Sequence, residues 1–356
     1  MAAWQVPARQ PQLHEAPPFR NNASRVKFLG EGEVGMTYLE ERPGWPVHAV
    51  KYVEALVVAE VRCAAAALHT GLSCVQDCNS ARRELVNLRL LSHPNVVSFY
   101  GAEAVLGLGG AATHLAIMTE AILGPNDLPW SLSDCLRAQP EKRLCELQAR
   151  SVTAQLAAGL QFMHQHGVAH RDLTLDNVLV RQAGQGFTVK LVDFGSSKNV
   201  FHSLPVTARR TETSFAAPEV LLADHAASRG QRMPRNNLLA ADLWSVGIML
   251  LFCLKGVEAL RRETAHLSDI TTLALDGQLV PLLHGVVNTL DAASLVRMLL
   301  LACLVEVPEL RITAPGLVTH PWIAAEAYVP TPVWLPRLQT EAELLSLVQS
   351  FTSMPA

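Results

Sequence analysis

A chain of 356 residues that is 49% hydrophobic has material for a sizeable core, and its length suits two lobes better than one ordinary domain. A net charge of −3 argues against a broad nucleic-acid surface and supplies no electrostatic reason for a membrane partner. Seven scattered cysteines (Cys63, Cys74, Cys78, Cys135, Cys145, Cys253 and Cys303) do not read as a disulfide framework, which points to a reducing, intracellular setting, cytoplasmic and/or nuclear.

Residues 1–23 carry prolines and charges but no continuous apolar run, and are expected to form a flexible leader and not a secretory signal. Short β-type runs follow, "VKFLGEG", "GMTYLEE" and "HAVKYVEA", which predict a hairpin and a third strand. An alanine-rich stretch at about 55–79 contains Cys63, His69, Cys74 and Cys78. Their spacing fits none of the common zinc patterns, so the stretch reads as an insertion or a helical extension. "SARRELVNLRLLS" predicts a helix ended by His93-Pro94, and "VVSFYGAEAV" and "HLAIMTEA" predict two more strands.

From Leu147 the pattern changes. "LQARSVTAQLAAGLQFMHQHG" places Val152, Leu156, Leu160 and Met163 on one helical stripe, with Gly167 as its stop. Apart from the short runs "NVLV" and "TVKLV", the remainder reads as mostly helical. The apolar segment Leu243–Gly256 is too short to span a bilayer and is expected to be a buried core helix. Arg229, Arg232 and Arg235 fall in a loop-like stretch and read as solvated. A β-rich first part followed by a helical second part predicts two lobes with a cleft between them.

The chemistry sits in six motifs. "GEGEVG" (30–35) has glycines at GxGxxG spacing, which lets a turn lie flat over phosphates. A dinucleotide fold would place a helix directly after the third glycine, whereas here a strand follows and then "HAVK". Downstream come "HRDLTLDN" (170–177), "VDFGSS" (192–197) and "AAPEV" (216–220), and later "VPELRIT". In this order the motifs resemble the eukaryotic protein kinase superfamily over roughly residues 24–323. "HAVKYVE", "RRELVNLRLLSHPNVV", "THLAI", "VKLVDFGSSKNVFHSLP" and "HPWI" are similar to the osmotic-stress-activated branch of the plant sucrose-non-fermenting-related kinases, which is serine/threonine-specific.

The resemblance implies an α+β, two-lobed fold, with a small β-rich N-lobe (about 24–120), a larger mainly helical C-lobe (about 121–323) and an ATP cleft between them. It implies ATP and Mg2+ as cofactors, a protein substrate and an upstream kinase or regulator, with neither nucleic acid nor membrane as partner. By position in the motifs, Asp172 is the expected base for the attacking hydroxyl, and Lys51, braced by Glu84, orients the phosphates. Asn177 and Asp193 are the expected Mg2+ ligands. Leu29, Gly30, Glu31, Gly32, Gly35 and Ala49 are expected to line the nucleotide. The backbone of Glu120 and Ala121 would meet the adenine edge, with Thr119 guarding the deeper pocket. Glu219 and Arg311 are the expected structural ion pair.

Four positions depart from that pattern. Val34 replaces an aromatic, Thr37 a valine, Thr174 a lysine that would steady the γ-phosphate, and Glu212 a threonine that would bond that lysine. Thr207, Thr211 and Thr213 are candidate phosphorylation sites in place of the family's serine. Lys51, Asp172 and Asp193 are all kept, which predicts a slow or specialised serine/threonine kinase; a pseudokinase scaffold is the alternative. In the tail (324–356), Thr340 and Glu343 have capping-box spacing. Leu344, Leu347, Val348 and Phe351 then make one apolar stripe, which predicts a short helix at about 341–352. The resemblance implies that it packs on the helix bearing Glu84.

Overall fold

The structure, a computed structural model, describes residues 24–32, 35–54, 73–107, 112–183, 186–201, 213–231, 237–256, 270–290, 292, 294–324, 343 and 346–347. The expected leader, Cys63 and His69, Val34, Glu212, Thr207, Thr211, Arg232 and Arg235 lie outside these residues, as does most of the tail.

The first lobe is an antiparallel sheet of β1 (Ser24–Gly32), β2 (Gly35–Glu41), β3 (His48–Glu54), β4 (Phe99–Leu106) and β5 (Ala112–Glu120), in the order β1-β2-β3-β5-β4. The period-2 alternation of strands divides β3 between two faces. His48, Val50 and Tyr52 are buried on one side, while Ala49 and Lys51, only partly buried, point to the other. Val50 and Tyr52 belong to a small apolar cluster with Tyr100, Val105, Ala116 and Met118, against which Tyr38 and Trp45 pack. Close packing in the sheet also explains one glycine of the GxGxxG run. A Cβ on Gly35 would collide with the Tyr52 carbonyl oxygen across the β2–β3 pair, so this glycine serves backbone approach.

Helix α1 runs Ser73–Leu90 and begins well before the Ser80 expected from the sequence. Residues 73–79, assigned to the insertion, are therefore about two turns of this helix. Its Ala81, Leu85 and Leu88 lie in the main apolar core, which continues through Leu91, Val96 and Val97 into the helical lobe. The loop after α1 is sewn to the second lobe. Leu191 N donates to Asn95 O at 2.8 Å and Val97 N to Leu191 O at 3.0 Å, and Asn95 Nδ2 donates to Val189 O at 3.0 Å.

The second lobe starts with α2 (Leu132–Ala138), opened by a capping box between Ser131 and Asp134. Helix α3 (Glu146–Gln165) buries Val152, Leu156, Leu160 and Met163, the stripe expected of it. Two hairpin strands, β7 (Val178–Ala183) and β8 (Gly186–Leu191), and the two-residue pair β6 (Val168–Ala169) and β9 (Lys198–Asn199) surround the cleft side. Helix α4 (Pro218–Ser228) precedes α5 (Leu238–Lys255), and shorter helices out to Ala324 complete the lobe. Helix α5 begins at Leu238, earlier than the apolar segment read from Leu243. It is long and apolar enough to cross a membrane by length and composition, yet 83% of it is buried inside the protein, as a core helix requires. Arg229 is exposed just past α4. In the tail, Leu347 is partly buried against the main core.

The pair Glu219–Arg311 is formed. Arg311 Nη1 and Nη2 donate to the two Glu219 oxygens at 2.8 and 3.0 Å, and the guanidinium also reaches Ala240 O at 2.8 Å and Val305 O at 2.9 Å. The Arg311 side chain is fully buried, so its removal strands a carboxylate and carbonyls in the core. Arg311→Ala is expected to lower the unfolding free energy by roughly 3–5 kcal/mol, and Arg311→Lys to recover only part of that because it lacks the planar fork. Urea denaturation followed by tryptophan fluorescence checks both values.

Candidate active site

Three side chains of α1 reach either β3 or the loop after β8. Asn87 lies three and four positions after Glu84 and Arg83, the spacings that bring helix side chains together, while Leu85 and Leu88 face the core. Glu84 Oε2 accepts from Lys51 Nζ at 2.9 Å. Asn87 Nδ2 donates to Ser197 Oγ at 2.7 Å, and that hydroxyl donates to the Phe194 carbonyl. Arg83 Nη2 donates to Gly195 O at 3.2 Å. The ammonium of Lys51 thus sits between Glu84 and, at 4.0 Å, Asp193 Oδ1. An ion pair this sheltered adds little net stability, since desolvation offsets attraction; its effect is to place one cation at one point.

The second group comes from the loop between β6 and β7. Asp172 and Asn177 are five residues apart and face each other. Asn177 Nδ2 donates to Asp172 O at 2.8 Å and to Asp172 Oδ2 at 3.1 Å. Its amide hydrogens being used there, its Oδ1 is turned to the other side as an acceptor. Thr174 is buried, with its Oγ1 accepting from the Asn177 backbone N–H at 3.3 Å. The threonine that replaces the expected lysine therefore has work within the loop that its motif position alone did not disclose.

Two residues near the cleft take left-handed backbone conformations, Arg171 at φ 69 and Asp193 at φ 60. Aspartate tolerates this region and here its Oδ1 accepts from Gly195 N at 3.1 Å, a local turn. Arginine has no such compensation of its own and costs about 1–2 kcal/mol there. The support comes from Asp242 in α5, which is 1% exposed. Its Oδ2 accepts from His170 N at 2.9 Å and from His164 Nε2 at 2.9 Å, and its Oδ1 accepts from Arg171 N at 2.9 Å. His170, fully buried, bonds Val192 O through Nε2 at 3.0 Å; a carbonyl can only accept, so that nitrogen carries the proton. Its ring leans on Phe194 at 5.1 Å between centroids. The loop carrying Asp172 and the turn carrying Asp193 are so joined directly.

The remaining expected residues surround this centre. Ala49 pairs with Thr119 and Lys51 with Ile117 across β3–β5, and Thr37 lies opposite Lys51 across β2–β3. Leu29 and Gly30 are partly buried and Glu31 is exposed, while of Gly32 only the strand backbone is described. Glu120 closes β5. Its Oε2 accepts from Ser98 Oγ at 3.0 Å and from Lys190 Nζ at 2.6 Å, so its side chain is turned towards β8. The Ala121 carbonyl accepts from Arg181 Nη2 at 2.8 Å.

Sequence reading missed Asp242, Asn87, Arg83, Lys190 and Arg181. For Asp242 a signal existed, an isolated acid inside the otherwise apolar run "LLAADLWSVGIMLLFCLK", where a charged residue needs buried partners. Arg83, Arg171 and Lys198 form a third feature. Arg83 Nη2 and Arg171 Nη1 donate to the adjacent carbonyls of Gly195 and Ser196, close along the chain to Lys198, whose pKa is lowered first by burial and then by those two charges.

Among the described residues no three His, Cys, Asp or Glu side chains converge as a metal cage. Mg2+ does not require one, because it takes one or two protein oxygens and completes its shell with water and substrate phosphate. The Asp193 carboxylate, half exposed, and the outward Asn177 Oδ1 are hard oxygen donors of that kind.

Two outcomes follow from the loop geometry. Asp242→Ala should destabilise the fold by roughly 3 kcal/mol or more by leaving two buried N–H groups unpaired, measured as a loss in thermal unfolding midpoint. Thr174→Val should lower kcat by roughly tenfold with about 1 kcal/mol of stability lost, whereas Thr174→Ser, which keeps the acceptor, should stay near wild type in both steady-state kinetics and melting.

The description "Protein kinase domain" matches residues 24–323. The chain is similar to serine/threonine-protein kinase SRK2F of Arabidopsis thaliana, 28% identical over 83% of this chain and 72% of that one. It is similar to serine/threonine-protein kinase SAPK9 of Oryza sativa subsp. japonica, 27% identical over 90% and 76%, and to SAPK2 of Oryza sativa subsp. indica, 32% identical over 68% and 64%. These findings agree with the resemblance read from the motifs, and with Lys51 paired to Glu84 and with Asp193 near that lysine, the chain belongs to the protein kinase family.

Proposed function

We propose that Lys51, Glu84, Asp172, Asn177 and Asp193 are the machinery with which this ATP-dependent serine/threonine protein kinase works. The observation that carries the assignment is the Lys51 ammonium, 2.9 Å from Glu84 and 4.0 Å from Asp193, on the face of β3 that also presents Ala49. In this arrangement Lys51 orients the phosphates of ATP, and Glu84 keeps the ammonium from collapsing onto Asp193. Asp193 and Asn177 would hold Mg2+, which when bound neutralises phosphate charge. Asp172 accepts the proton of the attacking serine or threonine hydroxyl, its carboxylate oriented by Asn177 Nδ2. Leu29, Gly30, Glu31, Gly32 and Gly35 cover the nucleotide from the β1–β2 hairpin.

The missing lysine at Thr174 does not argue for a scaffold. Transfer of a phosphoryl group depends chiefly on positioning and on charge stabilisation by metal and lysine, and the residues for both are present. Thr174 itself helps by holding the Asn177 backbone. Arg83, Arg171 and Lys198 supply a cationic cluster beside the turn after Asp193, suited to an anionic group from the segment that carries Thr207, Thr211 and Thr213. This is where an upstream kinase would act. Leu347, packed on the main core, supports a docked tail that steadies the Glu84 helix.

Wild type should transfer the γ-phosphate of radiolabelled ATP to a generic protein substrate in the presence of Mg2+. Asp193→Asn should reduce transfer by at least about 100-fold with the melting temperature in the absence of nucleotide unchanged, because a half-exposed donor is lost and no packing. Nucleotide binding without any transfer by wild type would instead support the scaffold. Leu347→Asp should lower both specific activity and thermal stability by placing a charge against the core, read by kinase assay and melting.

A further inference from the structure

The face of the first-lobe sheet that lies away from Lys51 is buried, although no described element outside the sheet joins the cluster on it. Along β3 this face carries His48, Val50 and Tyr52, none more than 1% exposed. Beside them Glu40 on β2, Tyr100 on β4 and Met118 on β5 are buried too. Every described residue of the apolar cluster here, with the partly buried Tyr38 and Trp45, belongs to the sheet or to the turn between β2 and β3. An antiparallel sheet face without a second layer leaves the outer parts of its side chains in water, which suits polar residues and not this run of aromatic and branched ones. The acid is a second sign. Glu40 is buried and accepts from the Tyr52 hydroxyl, and a carboxylate is rarely taken so far out of water at an open surface. Tyr38, Glu40, His48, Tyr52, Tyr100 and Glu103 also make contacts in addition to those named here.

Where the chain enters the sheet indicates what supplies the missing layer. Ser24 starts β1 opposite Glu41, Glu40 pairs with His48, and His48 with Glu120, so one end of the sheet holds all of these. On β3 the face is fully buried at that end and becomes exposed at Glu54, at the other. Residues 1–23 join the sheet at the buried end. The other stretches of this lobe outside the described residues, 33–34, 55–72 and 108–111, leave it at the end of Gly32, Glu54 and Leu106. Residues 55–72 lead moreover to α1, whose Glu84 meets Lys51 on the opposite face. In the tail, Leu347 packs on the main core and not on this cluster. We propose that the Val50 face is a docking surface for the chain's own residues 1–23, anchored by Trp4 and Phe19. The leader can reach about 75–80 Å when extended, against about 20 Å across five strands. Pro7, Pro11, Pro17 and Pro18 favour an extended run over a helix, as a strap lying across strands requires. Phe19 is close enough in sequence to Ser24 to cover the buried end, and Trp4 has the reach for the farther strands. This replaces the expectation of a flexible leader. Because β3 carries Lys51 on its opposite face, the strap also stiffens the strand that holds the lysine.

The test reads hydrogen–deuterium exchange by mass spectrometry on the full chain, on a form lacking residues 1–20 and on a synthetic peptide of residues 1–20. Leader amides in the full chain should exchange at least about tenfold more slowly than in the peptide alone. Removal of the leader should speed exchange at least about tenfold in β2, β3 and β4 while α3 and α5 keep their rates. Added peptide should restore the slow rates, and a scrambled peptide should not. The full chain carrying Trp4→Ser and Phe19→Ser should lose the leader's protection, a reading that stands even where the shortened form fails to fold. Leader amides that exchange as fast in the full chain as in the free peptide would overturn the proposal. So would β2–β4 rates unchanged by removal, protection by the leader confined to second-lobe segments, or equal rescue by the scrambled peptide. A full chain that sediments as a dimer and loses its β2–β4 protection on dilution would give this face to a second copy, and would overturn the proposal as well.

Discussion

A carboxylate in the middle of an apolar helix governs the cleft. Asp242 is buried in α5 among residues that would expel a charge, and taking a carboxylate out of water costs several kcal/mol unless donors replace the lost solvent. Three donors do so, His164 Nε2 and the backbone N–H groups of His170 and Arg171. The requirement is mutual. Those two N–H groups belong to a turn in which Arg171 takes a left-handed conformation that an arginine would not hold unaided. Helix α5 is thus a rigid mount, and the loop bearing Asp172 and Asn177 is clamped to it one residue away from the proposed base.

From that mount the connections run outward to the rest of the site. His170 joins the clamped loop to the Asp193 turn through Val192 and Phe194. Ser197 and Gly195 continue the line to Asn87 and Arg83 on α1. On the same face of α1, Glu84 reaches Lys51 in the sheet. Each contact is a single hydrogen bond or ion pair of modest net worth. Together they make Lys51, the Asp193 turn and the Asp172 loop one arrangement, since rotation of α1 would break its contacts at 83, 84 and 87 together. The loop after α1, paired with β8 through Asn95 and Val97, ties the first lobe to the second.

The Glu120–Ala121 segment at the end of β5 shows a similar division. Glu120 turns its side chain to Lys190 and Ser98, and Ala121 gives its carbonyl to Arg181. Polar groups of the protein therefore consume the side-chain acceptor and one backbone acceptor of this segment. Apolar residues make the same partition, with Tyr100, Tyr52 and Val50 behind the sheet and Ala49 beside Lys51 in front.

The two-lobed α+β plan, the strand order of elements along the chain, the buried stripe of α3 and the residues Lys51, Glu84, Asp172, Asn177 and Asp193 were legible in the sequence. Alternation, helical periodicity and short motifs are local, and local patterns survive in one dimension. The start of α1 was not legible, because an alanine-rich insertion and a helix have similar composition. Gly35 was read as a phosphate-loop glycine, and only the approach of β3 shows that a Cβ there has no room. Thr174 read as a missing cation, and only the fold of its own loop shows its hydroxyl on the Asn177 backbone. Asp242, Asn87, Lys190 and Arg181 act on partners tens of residues away. The sequence by itself determined which chemical groups are available. The tertiary structure alone decided which of them meet, because hydrogen bonds and ion pairs act over about 3–4 Å of space whatever the separation along the chain.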